Sequence, residues 1–154
     1  MSITFHGNDL DSTDVAALLD LHFAAMRGNS PPEACHVLPA ASLRDPAIRF
    51  FSARDDDGTL LGIGALKALA PDHGEIKSMR TAPAALGRGV GGAILTHLVE
   101  QARATGMTRL SLETGSTPEF AGALRLYQRD GFTPCEPFGG YAPSPFTRFV
   151  SRTI

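Results

Sequence analysis

Four glycines and one arginine stand together at residues 87–92, in the order Gly-Arg-Gly-Val-Gly-Gly, directly before an apolar helical pattern. Because glycine has no Cβ, the backbone there can turn sharply and a ligand can approach it closely. The first N–H groups of a helix have no intrahelical partners, and the helix dipole is positive at that end. A glycine loop that leads into a helix is therefore an anion site, and phosphate or pyrophosphate fits it best.

The same six residues formally match G-x-G-x-x-G, the dinucleotide-binding fingerprint, and Glu113 follows near the end of a strand pattern. A lone match of this kind is a weak signal. In a dinucleotide-binding fold the glycines follow their strand at once, and several further βαβ units are present. Here residues 82–86 separate the strand from the glycines, and the pattern contains one clear crossover. A dinucleotide is therefore the weaker interpretation.

The elements that position the loop follow from hydrophobic periodicity and turn signals. Strand patterns lie at residues 3–5, 48–54, 60–69, 75–81, 110–114, 133–138 and 146–154, and helical patterns at 13–27, 30–43, 90–105 and 116–130. Gly28 is expected to end the first helix, and Gly62 and Gly64 to mark a bulge. We predict a single α/β domain over residues 1–154, with a central mixed, mostly antiparallel sheet of about six to seven strands flanked by about four helices.

The crossover helix makes strands 75–81 and 110–114 parallel neighbours. Glu113 stands at the end of the second of these strands. A cleft is expected where the two strands separate.

Composition limits the class of protein. The chain has 154 residues, is 43% hydrophobic and carries a formal net charge of −2, which argues against a nucleic-acid binder that works through bulk charge. No apolar run approaches the roughly 20 residues of a membrane span, and the start of the chain has no basic and apolar leader. Cys35 and Cys135 are expected to be free thiols, and no Cys or His cluster has zinc spacing. We expect a cytoplasmic protein without a metal, a nucleic-acid partner or a membrane partner.

Two segments together resemble a known family. Residues 87–91, which open an amphipathic helix shortly after Met79-Arg80-Thr81-Ala82-Pro83, resemble the acyl-CoA loop of the GCN5-related N-acetyltransferase (GNAT) family. Residues 123–132, Ala-Leu-Arg-Leu-Tyr-Gln-Arg-Asp-Gly-Phe, resemble the family's other signature. The order of the elements agrees, and the resemblance covers residues 48–138 well.

The resemblance implies acetyl-CoA as the cosubstrate. The backbone of Met79, Arg80 and Thr81 is expected to bind the pantetheine arm and the acetyl carbonyl. The loop that is expected to hold the pyrophosphate consists of Leu86, Gly87, Arg88, Gly89, Val90, Gly91 and Gly92. The chain departs from the family at Leu86, where glutamine or arginine is usual, and at Phe120, where asparagine is frequent.

The resemblance also implies the catalytic groups. Tyr127 matches the family tyrosine that protonates the leaving thiolate, and a core aromatic is its alternative interpretation. Glu75 matches the strand glutamate that acts as the base in many members, and a surface salt bridge with Lys77 is the alternative. Glu113 is the rival base.

The expected activity is acetyl-CoA-dependent transfer of an acetyl group to a primary amine of a small molecule, an amino acid or a peptide. The acceptor is expected between residues 28–43 and 138–146, with Tyr141 in an apolar wall and the loop histidine His36 as a bystander. A non-catalytic acyl-CoA-binding or regulatory module is the alternative from another class. Because the family often dimerises, a homodimer is an open expectation.

Overall fold

Seven β-strands and three α-helices form the regular structure of residues 2–31, 36 and 40–154, the part of the chain that the computed structural model describes. In chain order they are β1 (Thr4–Gly7), α1 (Thr13–Asn29), β2 (Ile48–Arg54), β3 (Leu60–Ala70), β4 (His73–Thr81), α2 (Val90–Ala104), β5 (Arg109–Gly115), α3 (Ala121–Arg129), β6 (Thr133–Pro134) and β7 (Thr147–Thr153). The strands form one sheet in the order β1-β2-β3-β4-β5-β7-β6. Only β4 and β5 pair in parallel, so the predicted mixed, mostly antiparallel sheet is confirmed.

The helices differ slightly from the prediction, since the described part of the chain has three α-helices rather than about four. The additional helix is predicted over residues 30–43. Residues 32–35 and 37–39, which include Cys35, lie outside the described residues, and Ala40–Arg44 forms a short 3-10 helix. Gly28 does not end α1, because it does not adopt the left-handed conformation with which glycine ends many helices.

The glycines of β3 allow α2 to pack closely on the sheet. A Cβ on Gly62 would lie 2.7 Å from Cδ1 of Ile94, and a Cβ on Gly64 would lie 2.8 Å from Cγ2 of the same residue. Real Cβ atoms do not approach that closely, so a larger residue at either position would push the helix away. These glycines therefore set the distance between the sheet and the helix that follows the glycine loop.

The bulge expected at those glycines has its extra residue on β4 instead. Ala65 faces Lys77, whereas Ile63 faces Arg80, so β4 has one residue more than β3 over this interval. Ser78 lies within it and has a φ of 56°, a left-handed conformation that is uncommon for residues other than glycine. The bulge interrupts the β3–β4 ladder beside the point where β4 leaves β5.

The separation of β4 from β5 creates the cleft. Their parallel pairing stops at Ile76 and Leu112. Beyond these residues β4 continues to Thr81 and β5 to Gly115 without pairing to each other. The predicted parallel neighbours are confirmed, and the gap between them opens at their carboxyl ends.

The two faces of the sheet carry different helices. On one face α1 packs through Leu18 and Leu19 against a cluster that includes Ile63 of β3. On the other face α2 and α3 share a larger cluster, to which Tyr127 belongs. Because successive strand residues point to opposite faces, each side of the cleft is built by a different set of helices.

Candidate active site

A cavity of about 560 Å³ opens where β4 and β5 separate. Its walls come from both strands, the glycine loop, α1 and α3. Among the residues that the sequence predicts for the site, those lining the cavity are Glu75, Met79, Arg80, Thr81, Leu86, Gly87, Gly89, Gly91, Gly92, Glu113 and Tyr127. Arg88 is exposed on the loop and Val90 is buried in the core, and neither lines the cavity.

The glycine loop ends at the exposed N-terminus of α2. Gly87 and Gly89 have φ angles of 75° and 79°, and Gly89 is the N-cap of α2. The N–H of Ala93 donates to the carbonyl of Gly89 at 3.1 Å. The N–H groups of residues 90–92 precede that bond and have no place in the intrahelical ladder. Together with the helix dipole they can bind a phosphate at this end of the cavity.

The two departures from the family pattern both line the cavity. Leu86 is 66% exposed at the mouth, so its side chain adds apolar surface where a polar group is usual. The ring of Phe120 lies only 2.1 Å from the position that a Cβ on Gly115 would take. Only glycine fits under that ring, and the ring covers the end of β5.

Tyr127 projects from α3 into the cleft and is 8% exposed. Its hydroxyl donates to Sδ of Met79 at 3.9 Å, a long and weak contact. Burial raises the pKa of Tyr127 to about 12, so the phenol is neutral at physiological pH. The same side chain belongs to the hydrophobic core and lines the cavity, so both interpretations of this residue apply.

Glu75 and Lys77 form a buried ion pair on β4, with Oε2 and Nζ 3.0 Å apart and side chains 2% and 8% exposed. The hydroxyl of Tyr141 donates to Oε2 of Glu75 at 2.9 Å and accepts from Nζ of Lys77 at 2.7 Å. Burial, followed by the charge of Glu75, raises the pKa of Tyr141. The salt bridge considered from the sequence is therefore present, but it is buried rather than on the surface.

Glu113 pairs with a histidine from the segment after α1. Nδ1 of His36 lies 2.5 Å from Oε2 of Glu113, and the side chains are 29% and 12% exposed respectively. The imidazole stacks on the ring of Tyr141 with centroids 4.7 Å apart. Burial raises the pKa of Glu113, and the hydrogen bond from His36 partly offsets the increase.

Arg80 and His22 form a third polar pair. Nε of Arg80 donates to Nδ1 of His22 at 3.0 Å. His22 lies on α1 and is 5% exposed. Burial and then the charge of Arg80 lower the pKa of His22 to about 4, so the imidazole is neutral at physiological pH and Nδ1 is its acceptor.

Three residues reach this region although sequence reasoning gave them no chemical role. His36 is predicted as a bystander and Tyr141 as an apolar wall residue, but they contact Glu113 and Glu75. His22 stands four positions after Leu18 on the buried stripe of α1. The sequence signal for His22 is a polar residue within an apolar helical stripe. The contacts of His36 and Tyr141 have no such signal in the sequence.

The geometry of the cavity indicates a class of enzyme. A cleft between diverging parallel strands, with a glycine-capped helix start and buried titratable side chains in its walls, is typical of acyl-CoA-dependent acyltransferases. Residues 15–132 match the family model described as the acetyltransferase (GNAT) family. The chain belongs to this family and is an acyltransferase.

Relatives of similar length support the family assignment. The chain is 44% identical over 151 residues to the uncharacterized N-acetyltransferase YedL of Escherichia coli (strain K12), covering 98% of this chain and 94% of that protein. It is 44% identical over 147 residues to the uncharacterized N-acetyltransferase YsnE of Bacillus subtilis (strain 168), covering 96% of this chain and 97% of that protein. It is 37% identical over 125 residues to the IAA acetyltransferase of Azospirillum brasilense, covering 80% of each.

Solved structures have the same fold. A Klebsiella pneumoniae protein assigned as an acyl-CoA N-acyltransferase superposes with a TM-score of 0.78 at 24% identity, over 98% of this chain and 97% of that one. A GNAT family acetyltransferase from Elizabethkingia anophelis, solved with acetyl-CoA bound, superposes with a TM-score of 0.72 at 17% identity, over 99% and 98%. Within the described residues, no helix is long and apolar enough to cross a membrane.

Proposed function

We propose that this chain is an acetyl-CoA-dependent N-acetyltransferase, one domain over residues 1–154, that acetylates a primary amine of a small molecule, an amino acid or a peptide. The observation that carries the proposal is the cavity at the separation of β4 and β5. The glycine loop forms one end of this cavity, and Tyr127, Glu75 and Glu113 line it as well. Family membership and the acetyl-CoA seen in the Elizabethkingia structure support the choice of donor.

The donor end is assigned to the glycine loop and the bulged part of β4. The helix start at residues 90–92 offers N–H groups to a diphosphate. Leu86 and Arg88 flank this helix start on the exposed side of the loop. Backbone groups of Met79, Arg80 and Thr81 lie along the part of β4 that no longer pairs with β5 and are assigned to the pantetheine arm.

The reaction needs two proton transfers. The thioester supplies the acetyl group: a C–N bond forms to the acceptor nitrogen, the C–S bond breaks, and the sulfur leaves as a thiolate. The hydroxyl of Tyr127 is assigned as the donor of the proton that this thiolate takes up, since burial keeps the phenol neutral. A carboxylate takes the proton that the amine releases.

Glu113 is the carboxylate that we assign as the base. Glu75 is 2% exposed and is held by Lys77 and Tyr141, so it cannot accept a proton without breaking a buried ion pair. Glu113 is more accessible and is paired with His36, whose ring can pass a proton outward. Glu75 is then the group that holds Lys77 and Tyr141 in place.

Binding of the donor is tested by thermal unfolding with and without acetyl-CoA. At about 100 times the dissociation constant, a ligand that binds only the folded state adds about 2.7 kcal/mol of stability, which gives a clear rise in Tm. No rise at saturating acetyl-CoA would overturn the proposal.

Turnover is tested by thiol release from acetyl-CoA across amino acids, aminoglycosides, polyamines and peptides. Acceptor-dependent release above the hydrolysis background is expected for at least one class. If acetyl-CoA binds and no amine in the panel releases thiol, the chain is instead a non-catalytic acyl-CoA-binding module.

A further inference from the structure

A half-buried arginine of the cavity wall, Arg80, has no carboxylate partner among the described residues. On the face of the sheet that carries α1, Glu75 pairs with Lys77 at 3.0 Å and Glu113 pairs with His36 at 2.5 Å. Arg80 lines the same cavity. Across the described part of the chain, no carboxylate lies within ion-pair distance of it. The guanidinium therefore carries a charge that the described residues leave unbalanced.

His22 holds this guanidinium without cancelling its charge. Nδ1 of His22 accepts the hydrogen bond from Nε of Arg80 at 3.0 Å. Because the imidazole is neutral, it orients the guanidinium as a carboxylate would but adds no negative charge. This contact uses Nε and leaves the two terminal nitrogens of Arg80, whose parallel N–H groups match a carboxylate in a bidentate arrangement.

Burial makes the unbalanced charge costly. Arg80 is only partly exposed, and burial lowers its pKa. A cation that is partly removed from water without a counter-ion weakens the folded state. Such a group in a cleft is typical of a binding site whose ligand brings the opposite charge.

The position of Arg80 indicates which ligand supplies that charge. His22 lies on α1, so the Arg80 side chain lies on the α1 face, whereas the glycine loop leads into α2 on the other face. The helix start assigned to the phosphates therefore belongs to the α2 face, and the Arg80 side chain to the α1 face of the same cavity. Arg80 and Tyr127 line the same cavity, and the charge of Arg80 partly offsets the rise that burial causes in the pKa of Tyr127, so an anion bound by Arg80 lies near the proposed reaction centre.

We propose that the acceptor is an amino acid or a similar molecule in which a carboxylate accompanies the reactive amine, and that Arg80, positioned by His22, binds this carboxylate. The inference rests on the acetyltransferase function proposed above. It narrows the acceptor from amines in general to those with an acidic group near the nitrogen. Arg80 is the specificity residue and His22 is a positioning residue.

The test compares matched sets of acceptors. Each set contains an L-amino acid, its primary amide and its decarboxylated amine, for example phenylalanine, phenylalaninamide and phenethylamine, with thiol release from acetyl-CoA as the readout. We expect kcat/KM to be about tenfold or more higher for the acid in at least one set, mainly through KM. Equal or better use of the amide and the amine in every set that is turned over would overturn the proposal.

Substitution of Arg80 must remove this preference. Arg80→Gln is expected to raise KM for the acid by about 10- to 100-fold and to leave KM for the amide within about threefold. Arg80→Lys is expected to recover part of the preference, because the charge is kept but the bidentate geometry is lost. Arg103→Gln, an exposed arginine at the end of α2, is the matched control and leaves every constant unchanged. A preference for the acid that survives Arg80→Gln would contradict the assignment.

The role of His22 is tested by giving Arg80 a counter-ion. His22→Asp keeps an acceptor beside Nε but neutralises the guanidinium, so KM for the acid rises while kcat at saturation changes little. His22→Gln keeps a neutral acceptor and is expected to rescue KM. If both variants changed kcat alone, His22 would have a merely structural role, and its assignment as the residue that positions Arg80 would be overturned.

A binding measurement separates this proposal from the proposed function. Calorimetric titration of the CoA complex with N-acetyl-L-amino acids and with their primary amides does not depend on turnover. Binding of the acids alone, lost in Arg80→Gln, supports the carboxylate site. If none of the acids binds or is turned over, the carboxylate site is rejected even when acetyl-CoA raises Tm, whereas absence of any Tm rise rejects the acetyltransferase itself.

Discussion

Side-chain exposure distinguishes the two candidate bases that line the cleft, Glu75 and Glu113. The side chain of Glu75 is 2% exposed and is paired with Lys77, whereas that of Glu113 is 12% exposed and is paired with His36. A buried ion pair is expensive to break because it leaves an uncompensated charge. Proton exchange with the acceptor is therefore easier at Glu113, and the two residues should respond differently to the same substitution.

Glu113→Gln is expected to remove the acid limb of the pH profile of kcat/KM. A base acts in its deprotonated form, and burial holds the pKa of Glu113 above its ordinary value of 4.5. In the unmodified enzyme, activity therefore falls as the pH falls through that raised value, and in the variant the residual rate, lower by about 100-fold, is flat there. Rate measurements across the acidic range test this.

Glu75→Gln is expected to lower stability, in contrast to Glu113→Gln, which is expected to change the pH profile. It leaves Lys77 buried without its counter-ion, so a loss of about 3 kcal/mol in the free energy of unfolding is expected, measured by denaturant titration. Glu113→Gln should cost less than about 1 kcal/mol because its partner His36 is partly exposed. An unchanged acid limb in Glu113→Gln would return the role of base to Glu75 or to water.

Tyr127→Phe is expected to lower kcat by about 100-fold or more while the dissociation constant of acetyl-CoA stays within about twofold. The hydroxyl makes only a 3.9 Å contact with Sδ of Met79, so its removal costs little binding or stability. Stopped-flow kinetics measures kcat, and calorimetry measures the dissociation constant of acetyl-CoA. An equal fall in kcat and in affinity would instead identify Tyr127 as a binding and core residue.

Local sequence signals predicted the elements well and the polar contacts poorly. The glycines at 87–92, the apolar stripe after them and the crossover to a strand at 110–114 follow from short-range spacing, and the structure has all three. The Ser78 bulge could not be predicted, because its left-handed φ occurs at a residue that disfavours it. The contact between Tyr141 and Glu75 joins residues 66 positions apart, and such pairing leaves no trace in spacing.

Gly89→Ala tests whether the loop conformation serves the donor. Gly89 has a φ of 79° as the N-cap of α2, so a Cβ there costs about 1 kcal/mol of strain. We expect a similar loss of stability and a fall in acetyl-CoA affinity of about tenfold, since the helix-start N–H groups are displaced. Calorimetry and thermal unfolding measure the two effects.

Gly58→Ala is the matched control for this prediction. Gly58 has a φ of 80° with nothing within 4 Å of an added Cβ, and it lies in the turn between β2 and β3, away from the cleft. The strain is the same, so the loss of stability should match that of Gly89→Ala while acetyl-CoA affinity is unchanged. Equal affinity in both variants would show that the glycine loop does not hold the donor.

The molecule as a whole divides its tasks between the two faces of one sheet. The face with α2 and α3 carries the glycine loop and Tyr127, which are assigned to the donor. The face with α1 carries three polar pairs, centred on Glu75, Glu113 and Arg80, which are assigned to the acceptor. The cleft between β4 and β5 connects the two faces of the sheet, so the donor and the acceptor are expected to meet in this cleft.

The buried pair of His22 and Arg80 should make the stability of the whole fold depend on pH. The pKa of His22 is lowered from 6.5 to about 4 in the folded state. The unfolded chain therefore binds more protons between these values, so the contribution of His22 is present above pH 6.5 and is lost as the pH falls toward 4. At about 1.4 kcal/mol per pKa unit, the free energy of unfolding is expected to fall by about 3 kcal/mol over this pH range.

His22→Gln isolates this contribution from the other groups that titrate in acid. The variant keeps a neutral acceptor for Nε of Arg80 and cannot take up a proton, so its unfolding free energy should fall less steeply below pH 6.5 than that of the unmodified chain. Chemical denaturation at intervals from pH 7 to pH 4 gives both slopes. His6→Gln, at an exposed position on β1, controls for the exchange of a histidine for glutamine as such. Parallel slopes for all three proteins would mean that His22 is protonated as readily in the folded state as in the unfolded one, so that below pH 6.5 the Arg80 charge would face a second cation rather than a neutral acceptor.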